Sequence, residues 1–326
     1  MVASSDPVLA EVWRGDYLEA LHHGSVAVLS PSGAPRLVLG DVDTPVLARS
    51  AVKPVQSVAM LRHGLDVDGA LLALSGASHS GEPLHVDGVT ALLAGAGLSP
   101  ADLQTPPALP GDEDALLAWV ASGRGKESIA HNCSGKHAGM LRTTVRAGWD
   151  PAGYRDPQHP LQRAIAETLA EFTGDEIGAP VTDGCGAPAY PTTLAGLARA
   201  FGRLASGADP DALRIADAFR AHPEYASGTR RDEATLHREV PGIVVKSGAE
   251  GTIAAGLPDG TGIAIKASDG AHRAVVPALI AVLEALGLGT PTLASFQPQP
   301  VLGHGQVVGR VSPSASLRAA ARNLAS

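Results

Sequence analysis

Several scarcities in this sequence exclude whole classes of protein. Only 18% of the 326 residues are charged, and acidic residues outnumber basic ones to give a net charge of −8. An acidic chain repels phosphate-rich surfaces, so neither nucleic acid nor an anionic membrane is expected as the main partner. No run of 18 apolar residues is present, which predicts no membrane-spanning helix. The 44% of hydrophobic residues is enough for a globular core.

Cysteine is scarce as well, because Cys133 and Cys185 are the only two. The first residues, MVASSDP at 1–7, have neither the basic start nor the apolar core of a signal peptide, so we expect a cytoplasmic protein. A disulfide is not expected in that reducing compartment. The two cysteines are therefore interpreted as buried thiols or as metal ligands.

Strand signals concentrate at the two ends of the chain. Residues 25–30 and 36–41 flank a turn rich in proline and glycine, and this pattern predicts a β-hairpin. Residues 242–246, 251–256 and 261–266 predict a second group of short strands, a meander whose last two strands are joined through Pro258-Asp259-Gly260.

Helical patterns fill most of the middle of the chain. They are predicted at 84–96, 112–122, 161–172, 193–204 and 211–221, with a further helix at 272–286 that has Pro277 in its first turn. The economical arrangement is an α/β (α+β) fold in which strands from both ends form one antiparallel sheet. Helices pack on this sheet, and a helical lobe at about 84–235 is inserted. The length allows two domains, but we expect a single domain over 1–326.

The stretch RSAVKP at 49–54 contains the spacing Ser-x-x-Lys. On a helix, Ser50 and Lys53 would lie one turn apart on the same face, where a neutral lysine amine can take the serine proton. Pro54 lacks the N–H that would bond to the carbonyl of Ser50, so Ser50 is predicted at the start of the helix. Unpaired N–H groups there favour an oxyanion.

The sequence Lys246-Ser247-Gly248 closes a predicted strand. A lysine in that position is often only a solvated strand end. A Ser-x-x-Lys helix followed by a Lys-Ser-Gly strand is, however, close to the pairing of serine β-lactamases and penicillin-binding proteins.

The polar segment 75–82 follows an apolar run and has two interpretations. It can be a turn and helix cap, in which Glu82 and the serines satisfy backbone groups. Alternatively, Ser78 lines the site and passes protons between Lys53 and Lys246.

Both cysteines lie among glycines and polar residues, which is unusual for structural thiols. His131, His137 and Asp183 are close to them in sequence, so the ligand types for zinc are present, although a Cys-x-x-Cys pair is absent. Spacing alone leaves metal binding open.

Together these stretches resemble the Rhizobium-type, or class 3, L-asparaginases. The matching segments are RSAVKP at 49–54, ASHS at 77–80, NCSGKH at 132–137, TDGC at 182–185 and VK at 245–246, with HPLQ at 159–162 and HPE at 222–224 in the same order. The resemblance extends from about residue 12 to about 290, and the tail beyond is left unassigned.

The resemblance implies a fold similar to serine β-lactamases and glutaminases, usually in a homodimer, and hydrolysis of L-asparagine to L-aspartate and ammonia. Catalytic roles carried onto matching positions pair Ser50 with Lys53 and Ser78 with Lys246. The implied zinc ligands are Cys133, Lys136 and Cys185. The implied substrate-binding residues are Arg49, His137 and Asp183.

Two other functions remain open at this point. A glutaminase or a β-lactam-directed hydrolase would use the same Ser-Lys core, although a cytoplasmic start disfavours a penicillin target and the cysteine motifs are no part of the β-lactamase signature. A zinc-dependent binding protein, in which Ser-x-x-Lys is only a helix start, belongs to a different class. Which of Ser50 and Ser78 is acylated is also open.

Overall fold

A computed structural model describes residues 6–296 and 299–325 of the chain. Residues 1–5, most of the stretch that lacks signal-peptide character, lie outside the described residues. The chain divides into two compact units. Unit 1 comprises Met1–Ala51, Thr192–Ser206 and Glu239–Ser326, and unit 2 comprises Val52–Pro191 and Gly207–Arg238. The expectation of a single domain with an inserted lobe stays a prediction.

Eight antiparallel strands form the sheet of unit 1, in the order β6-β7-β8-β2-β1-β10-β9, with β3 paired to β2. The strands described are β1 Val8–Arg14, β2 Tyr17–Leu29, β3 Pro35–Leu39, β4 Val181–Thr182, β5 Pro188–Ala189, β6 Val244–Gly248, β7 Thr252–Gly256, β8 Gly262–Ala267, β9 Val301–Gly303 and β10 Gln306–Pro313. The predicted hairpin corresponds to β2 and β3, and the predicted meander to β6, β7 and β8. The α/β fold class, with one antiparallel sheet built from both ends of the chain, is confirmed.

Helices account for most of the remaining regular structure. The helices described are α1 Lys53–Arg62, α2 Gly69–Ser75, α3 Pro83–Ala94, α4 Glu113–Ala121, α5 Ser134–Arg146, α6 Pro160–Thr173, α7 Leu194–Ser206, α8 Pro210–Ala221, α9 Pro223–Ala226, α10 Asp232–Glu239, α11 His272–Ala285, α12 Pro291–Ser295 and α13 Ala315–Ala321. In this described part of the chain, no helix is long and apolar enough to cross a membrane.

Helix α7 packs against β7, β8 and β2 of the sheet at very short range. A Cβ atom added to Gly256 would collide with the carbonyl oxygen of Phe201, and one added to Gly262 would collide with that of Ala198. Helix and sheet backbones therefore touch in unit 1, which only glycine permits.

One helix prediction needs correction. Helix α11 begins at His272, so Pro277 is its sixth residue and lies in the second turn rather than the first. The helix loses the bond from residue 277 to the carbonyl of Arg273. All but the ends of this helix are buried, and packing compensates for the lost bond.

The tail that the sequence left unassigned completes the sheet of unit 1. Strand β10 pairs antiparallel with β1, and β9 pairs with β10. In the same unit, α13 packs against α11 and β1.

Candidate active site

Lys53 is the first residue of α1 in unit 2 and is 1% exposed. Its Nζ donates to Ala77 O at 2.7 Å, to Ser78 Oγ at 2.9 Å and to Cys133 Sγ at 3.1 Å. The three N–H groups of an ammonium thus have three acceptors. Lys53 joins the segment of Ser78 to that of Cys133.

The three partners of Lys53 differ in what they can exchange with it. The Ala77 carbonyl can only accept a hydrogen bond, whereas the hydroxyl of Ser78 can both accept and donate one. Ser78 is therefore a contact of Lys53 through which a proton can be exchanged.

Ser50 lies in a 3-10 turn, Arg49–Val52, directly before α1, and Pro54 is the second residue of that helix. The prediction that Ser50 stands at the helix start is confirmed. Arg49 has φ of +52°, a left-handed conformation that a non-glycine residue rarely adopts. Strained backbone of this kind clusters at functional sites.

Lys246 is a fully buried residue of β6 in unit 1, and its Nζ donates to Ser247 O at 2.7 Å. Two residues further on, a Cβ added to Gly248 would collide with the carbonyl oxygen of Ala48 and lie 3.2 Å from the amide nitrogen of Ala51. The end of β6 is therefore in contact with the turn that contains Ser50. Within unit 1, the structure brings the Lys-Ser-Gly strand and the candidate nucleophile turn together.

The cap interpretation of segment 75–82 holds for two of its residues, and the proton-passing role of Ser78 between Lys53 and Lys246 stays a prediction. The backbone N–H of Glu82, which precedes α3, donates to His85 Nδ1 at 3.1 Å, and Ser80 Oγ donates to Glu82 Oε1 at 2.6 Å. Ser80 and Glu82 therefore serve the cap of α3. Ser78 instead contacts Lys53.

The two cysteines meet in unit 2, in a buried cluster with Ala187. Lys136, the third residue of α5, donates through Nζ to Cys185 Sγ at 3.3 Å. Helix α5 begins directly after Cys133, so this cysteine and Lys136 both lie at the start of the same helix. The structure brings Cys133, Lys136 and Cys185 together.

The cluster changes the acidity of its members. A hydrogen bond with Cys185 holds the pKa of the Cys133 thiol well below its usual range, helped by the charges of Lys53 and Lys136 and opposed by burial. Burial acts to lower the pKa of Lys136, but Cys185, Cys133 and Asp183 outweigh it, so this pKa is raised. Each shift favours the charged form of its group.

His137 follows Lys136 on α5 and is completely buried. Its Nδ1 lies 2.7 Å from the hydroxyl of Tyr154, while Nε2 has no hydrogen-bond partner among the described residues. Burial lowers the pKa of His137 to about 4, with Cys185 opposing the shift and the positive charge of Lys136 adding to it. The ring is therefore neutral at pH 7.

Asp183 lies in the turn between β4 and β5. Its N–H donates to Ala187 O at 2.9 Å, and its Oδ1 accepts from the N–H of Gly184 at 2.7 Å. The same turn supplies Cys185. Asp183 and the cysteine cluster thus belong to one hairpin of unit 2.

The donor set of the cluster fits zinc. Two sulfurs, one of them readily ionised, and a lysine amine converge in a buried place, and zinc accepts sulfur and nitrogen ligands. Across residues 6–296 and 299–325, no group of three or more His, Cys, Asp or Glu side chains could hold a metal ion. Lys136 would have to be the third ligand, which requires loss of the proton that its raised pKa favours.

Sequence reasoning gave no role to Tyr154, which fixes one side of His137. No motif surrounds this tyrosine, so only the folded contact identifies it. His79 was included in a matching segment but given no function. Its place directly after Ser78 is the one signal the sequence offered.

The model of the L-asparaginase II family matches residues 10–313. The chain therefore belongs to the L-asparaginase II family. The resemblance seen in the sequence is thereby confirmed. No curated protein matches the chain.

Several solved structures are similar to the chain. Mglu in its native form has 15% identity and a TM-score of 0.48, over 82% of this chain and 64% of that one. Mglu in its glutamate form has 16% identity and a TM-score of 0.47, over 82% and 61%. A beta-lactamase from Mycobacterium bovis has 13% identity and a TM-score of 0.37, over 76% and 88%. The chain thus spans less than two thirds of the length of these two Mglu structures.

Proposed function

With membership in the L-asparaginase II family as the premise, we propose that this chain hydrolyses L-asparagine to L-aspartate and ammonia by a Ser-Lys mechanism. The observation that carries the proposal is the environment of Lys53. Its Nζ is buried and directed at Ser78 Oγ and Cys133 Sγ, so it has partners for proton exchange inside the fold. Any buried amine needs hydrogen-bond acceptors, but the hydroxyl of Ser78 can also exchange a proton with it.

In the proposed reaction, Ser50 Oγ forms a bond to the side-chain amide carbon of asparagine while its proton passes to Lys53. Unpaired N–H groups at the start of α1 would stabilise the oxyanion. The carbon–nitrogen bond then breaks, and the nitrogen leaves as ammonia after it takes a proton. Water attacks the acyl-enzyme and releases aspartate.

Ser78 and Lys246 form the second proposed pair. Ser78 contacts Lys53 and has a hydroxyl that can both donate and accept, so it suits the delivery of a proton to the departing ammonia. Lys246 is buried on the strand that ends against the turn of Ser50.

Substrate binding is assigned to Arg49, His137 and Asp183. Asparagine carries an α-carboxylate and an α-ammonium group, and each needs an opposite charge. Arg49 suits the carboxylate, and Asp183 suits the ammonium group. The buried Nε2 of His137 is left for a polar atom of the ligand.

Cys133, Lys136 and Cys185 would hold a zinc ion. When bound, zinc would supply a fixed positive charge that orders the side chains holding it and attracts polar groups of the substrate. Helix α5 and the β4–β5 turn contribute the ligands, so the metal would join these two segments of unit 2. A lysine amine binds zinc only in its deprotonated form, so the affinity for the metal should fall as pH drops.

The proposal includes a cytoplasmic homodimer whose partner is a small-molecule substrate. Sedimentation of the purified chain measures the dimer directly. A monomer at the concentrations of the assay would contradict this part alone.

The central experiment measures ammonia release from asparagine and glutamine, and opening of a chromogenic β-lactam, by wild type and Ser50→Ala. We expect wild type to prefer asparagine and Ser50→Ala to lose on the order of 10³-fold or more in turnover. Ser32→Ala is the matched control, because this serine lies in an exposed turn of the same unit. Equal release by wild type and Ser50→Ala would refute the assignment of the nucleophile.

Mass spectrometry of an acid-quenched reaction locates the acyl group. An added aspartyl group on Ser50 supports the proposed order of events. The same group on Ser78 would exchange the roles of the two serines. Preferred hydrolysis of glutamine or of the β-lactam would replace the proposed substrate, and no reaction with any of these amides would favour the zinc-dependent binding protein.

A further inference from the structure

His79 is a buried histidine of unit 2 that the proposed mechanism does not use, and it is 2% exposed. It directly follows Ser78 in the chain. Its side chain and backbone make bonds in two directions, toward residues 132–134 and toward residue 81. A buried side chain with every polar atom satisfied fixes the position of the segments that it joins.

The hydrogen bonds define which nitrogen of the ring carries the proton. Ser134 Oγ donates its single proton to Ile129 O at 2.7 Å, so it must accept from His79 Nε2, which lies 2.8 Å away. His79 Nδ1 then accepts from the N–H of Gly81 at 3.2 Å. The ring is therefore neutral, with its proton on Nε2.

The backbone of His79 makes the same connection. Its N–H donates to Asn132 O at 3.0 Å, next to the ring's bond with Ser134. The segment 132–134 thus holds His79 through backbone and ring on both sides of Cys133. Because Ser78 precedes His79, these bonds set the separation of Ser78 from Cys133.

That separation matters because Lys53 donates to both Ser78 and Cys133. A shift of either segment would lengthen one of the two bonds and change the partner of the amine. We propose that His79 is a positioning residue for amide hydrolysis, whose ring fastens the Ser78 segment to the 132–134 segment so that Lys53 meets both groups at hydrogen-bonding distance. The inference rests on the proposed function.

Two substitutions separate the two sides of the ring. In His79→Gln, the side-chain amide reaches as far as Nε2 and keeps a donor for Ser134 Oγ. In His79→Asn, the shorter amide imitates Nδ1, keeps an acceptor for Gly81 and loses Ser134. A displacement of about 1 Å near reacting groups can cost about 10²-fold in rate.

The chain offers a closely matched control in His159, also in unit 2. Its Nδ1 accepts from the N–H two residues later, Leu161, at 3.1 Å, as that of His79 does from Gly81. Its Nε2 lies 3.0 Å from Asp150 O. His159→Gln and His159→Asn therefore report the cost of the same local change without the link between Ser78 and Cys133.

The test combines kinetics with hydrogen exchange of the intact chain. We expect His79→Asn to lower kcat by about 10²-fold with KM within about threefold, and His79→Gln to retain most of kcat. Among the His79 and His159 variants, only His79→Asn should show faster amide hydrogen exchange at both residues 77–81 and residues 131–134. Ser134→Ala should lower kcat, and His79→Asn added to it should cost less than it does alone.

The outcomes separate this proposal from the proposed function. If His79→Asn and His79→Gln lose kcat equally, or if both behave like their His159 counterparts, His79 is only a structural residue and the proposal is wrong. If wild type releases ammonia from no amide, the proposed function is wrong. Hydrogen exchange at residues 77–81 and 131–134 then tests the positioning role of His79 without any reference to activity. An unchanged exchange pattern in His79→Asn would overturn that role.

Discussion

The two units of this chain solve the problem of a core in different ways. In unit 1, the central strands β6, β7 and β8 are buried on both sides by mostly small aliphatic residues, and glycine lets α7 touch the sheet. In unit 2, the apolar core also contains long polar side chains: Lys53, His79, Lys136 and His137 are each at most 2% exposed. Apolar packing holds the first core, and the second combines apolar packing with hydrogen-bonded polar groups.

The difference predicts different responses to substitution. Overpacking of a dense apolar core costs stability, because no neighbour can move away. Removal of one member of a buried polar network leaves its partners unsatisfied, but a fold of this size can retain its structure and lose its chemistry. Unit 1 also buries Lys246, so the contrast is one of degree.

The largest effect should come from Gly262→Ala in unit 1. The new methyl group would collide with the backbone carbonyl of Ala198, which cannot rotate away. We expect a loss of about 3 kcal/mol or more in the free energy of unfolding, measured by urea denaturation. Gly125→Ala is the control, because nothing lies within 4 Å of its added Cβ. If Gly262→Ala unfolds with the same free energy as wild type, the proposed difference between the two cores is wrong.

Lys53→Met tests the other side of the comparison. Methionine nearly matches the length of lysine but cannot exchange a proton, so we expect turnover of asparagine to fall by about 10³-fold while the far-UV spectrum stays native. Lys266→Met is the control, a half-buried lysine of β8 in unit 1 whose loss should leave turnover unchanged. If Lys53→Met unfolds the chain, the polar core of unit 2 is as intolerant as the apolar one.

Removal of zinc by a chelator should have a smaller effect. We expect KM for asparagine to rise by about tenfold and kcat to change less, because the metal would order the loops around the substrate rather than take part in bond breaking. Added zinc should restore KM. Elemental analysis of the protein as isolated, with Cys185→Ala for comparison, measures occupancy. An equal loss of turnover at saturating asparagine would contradict this role.

The smallest effect concerns Asp66 of unit 2. A hydrogen bond from Arg142 lowers the pKa of Asp66 to about 2, helped by Arg146 and opposed by burial. A carboxyl with a lowered pKa stabilises the fold above its ordinary pKa of 3.8, and this stability is lost as pH falls from about 4 to about 2. The side chain is 44% exposed, so solvent screening reduces the contribution to about 1 kcal/mol.

Asp66→Asn should therefore be less stable than wild type by about 1 kcal/mol at pH 7, and this difference should shrink to about a third at pH 2.5, measured by urea unfolding. The control is Asp87→Asn, an exposed aspartate of α3. A difference of unchanged size at pH 2.5 would assign the effect to packing rather than to charge.

The sequence predicted the locally encoded parts of the fold. The β2–β3 hairpin and the β6–β8 meander have alternating or apolar strands separated by turn residues, and these signals act over a few positions. Strands β1 and β10 were not predicted. They pair with each other across almost the whole chain, and no local pattern records such a partner.

Helix α5 was missed for a different reason. Eleven of its thirteen residues are buried, yet they include the polar residues Ser134, Lys136 and His137, so burial does not follow hydropathy along this helix. A prediction from the spacing of apolar residues therefore misses it. The candidate site could be predicted because its motifs resemble those of a family. The contacts of His79 and Tyr154 could not, because they depend on how the backbone folds.

The pairing of β1 with β10 and of β2 with β8 has a consequence for synthesis of the protein. The ribosome makes β1 and β2 before β8 and β10, and all of unit 2 lies between them in the sequence. At roughly 5–20 residues per second, the wait is on the order of tens of seconds. Strands β1, β2 and β3 can pair with one another at once, but the edges that β8 and β10 cover stay open until those strands are made, and unit 2 has time to fold first.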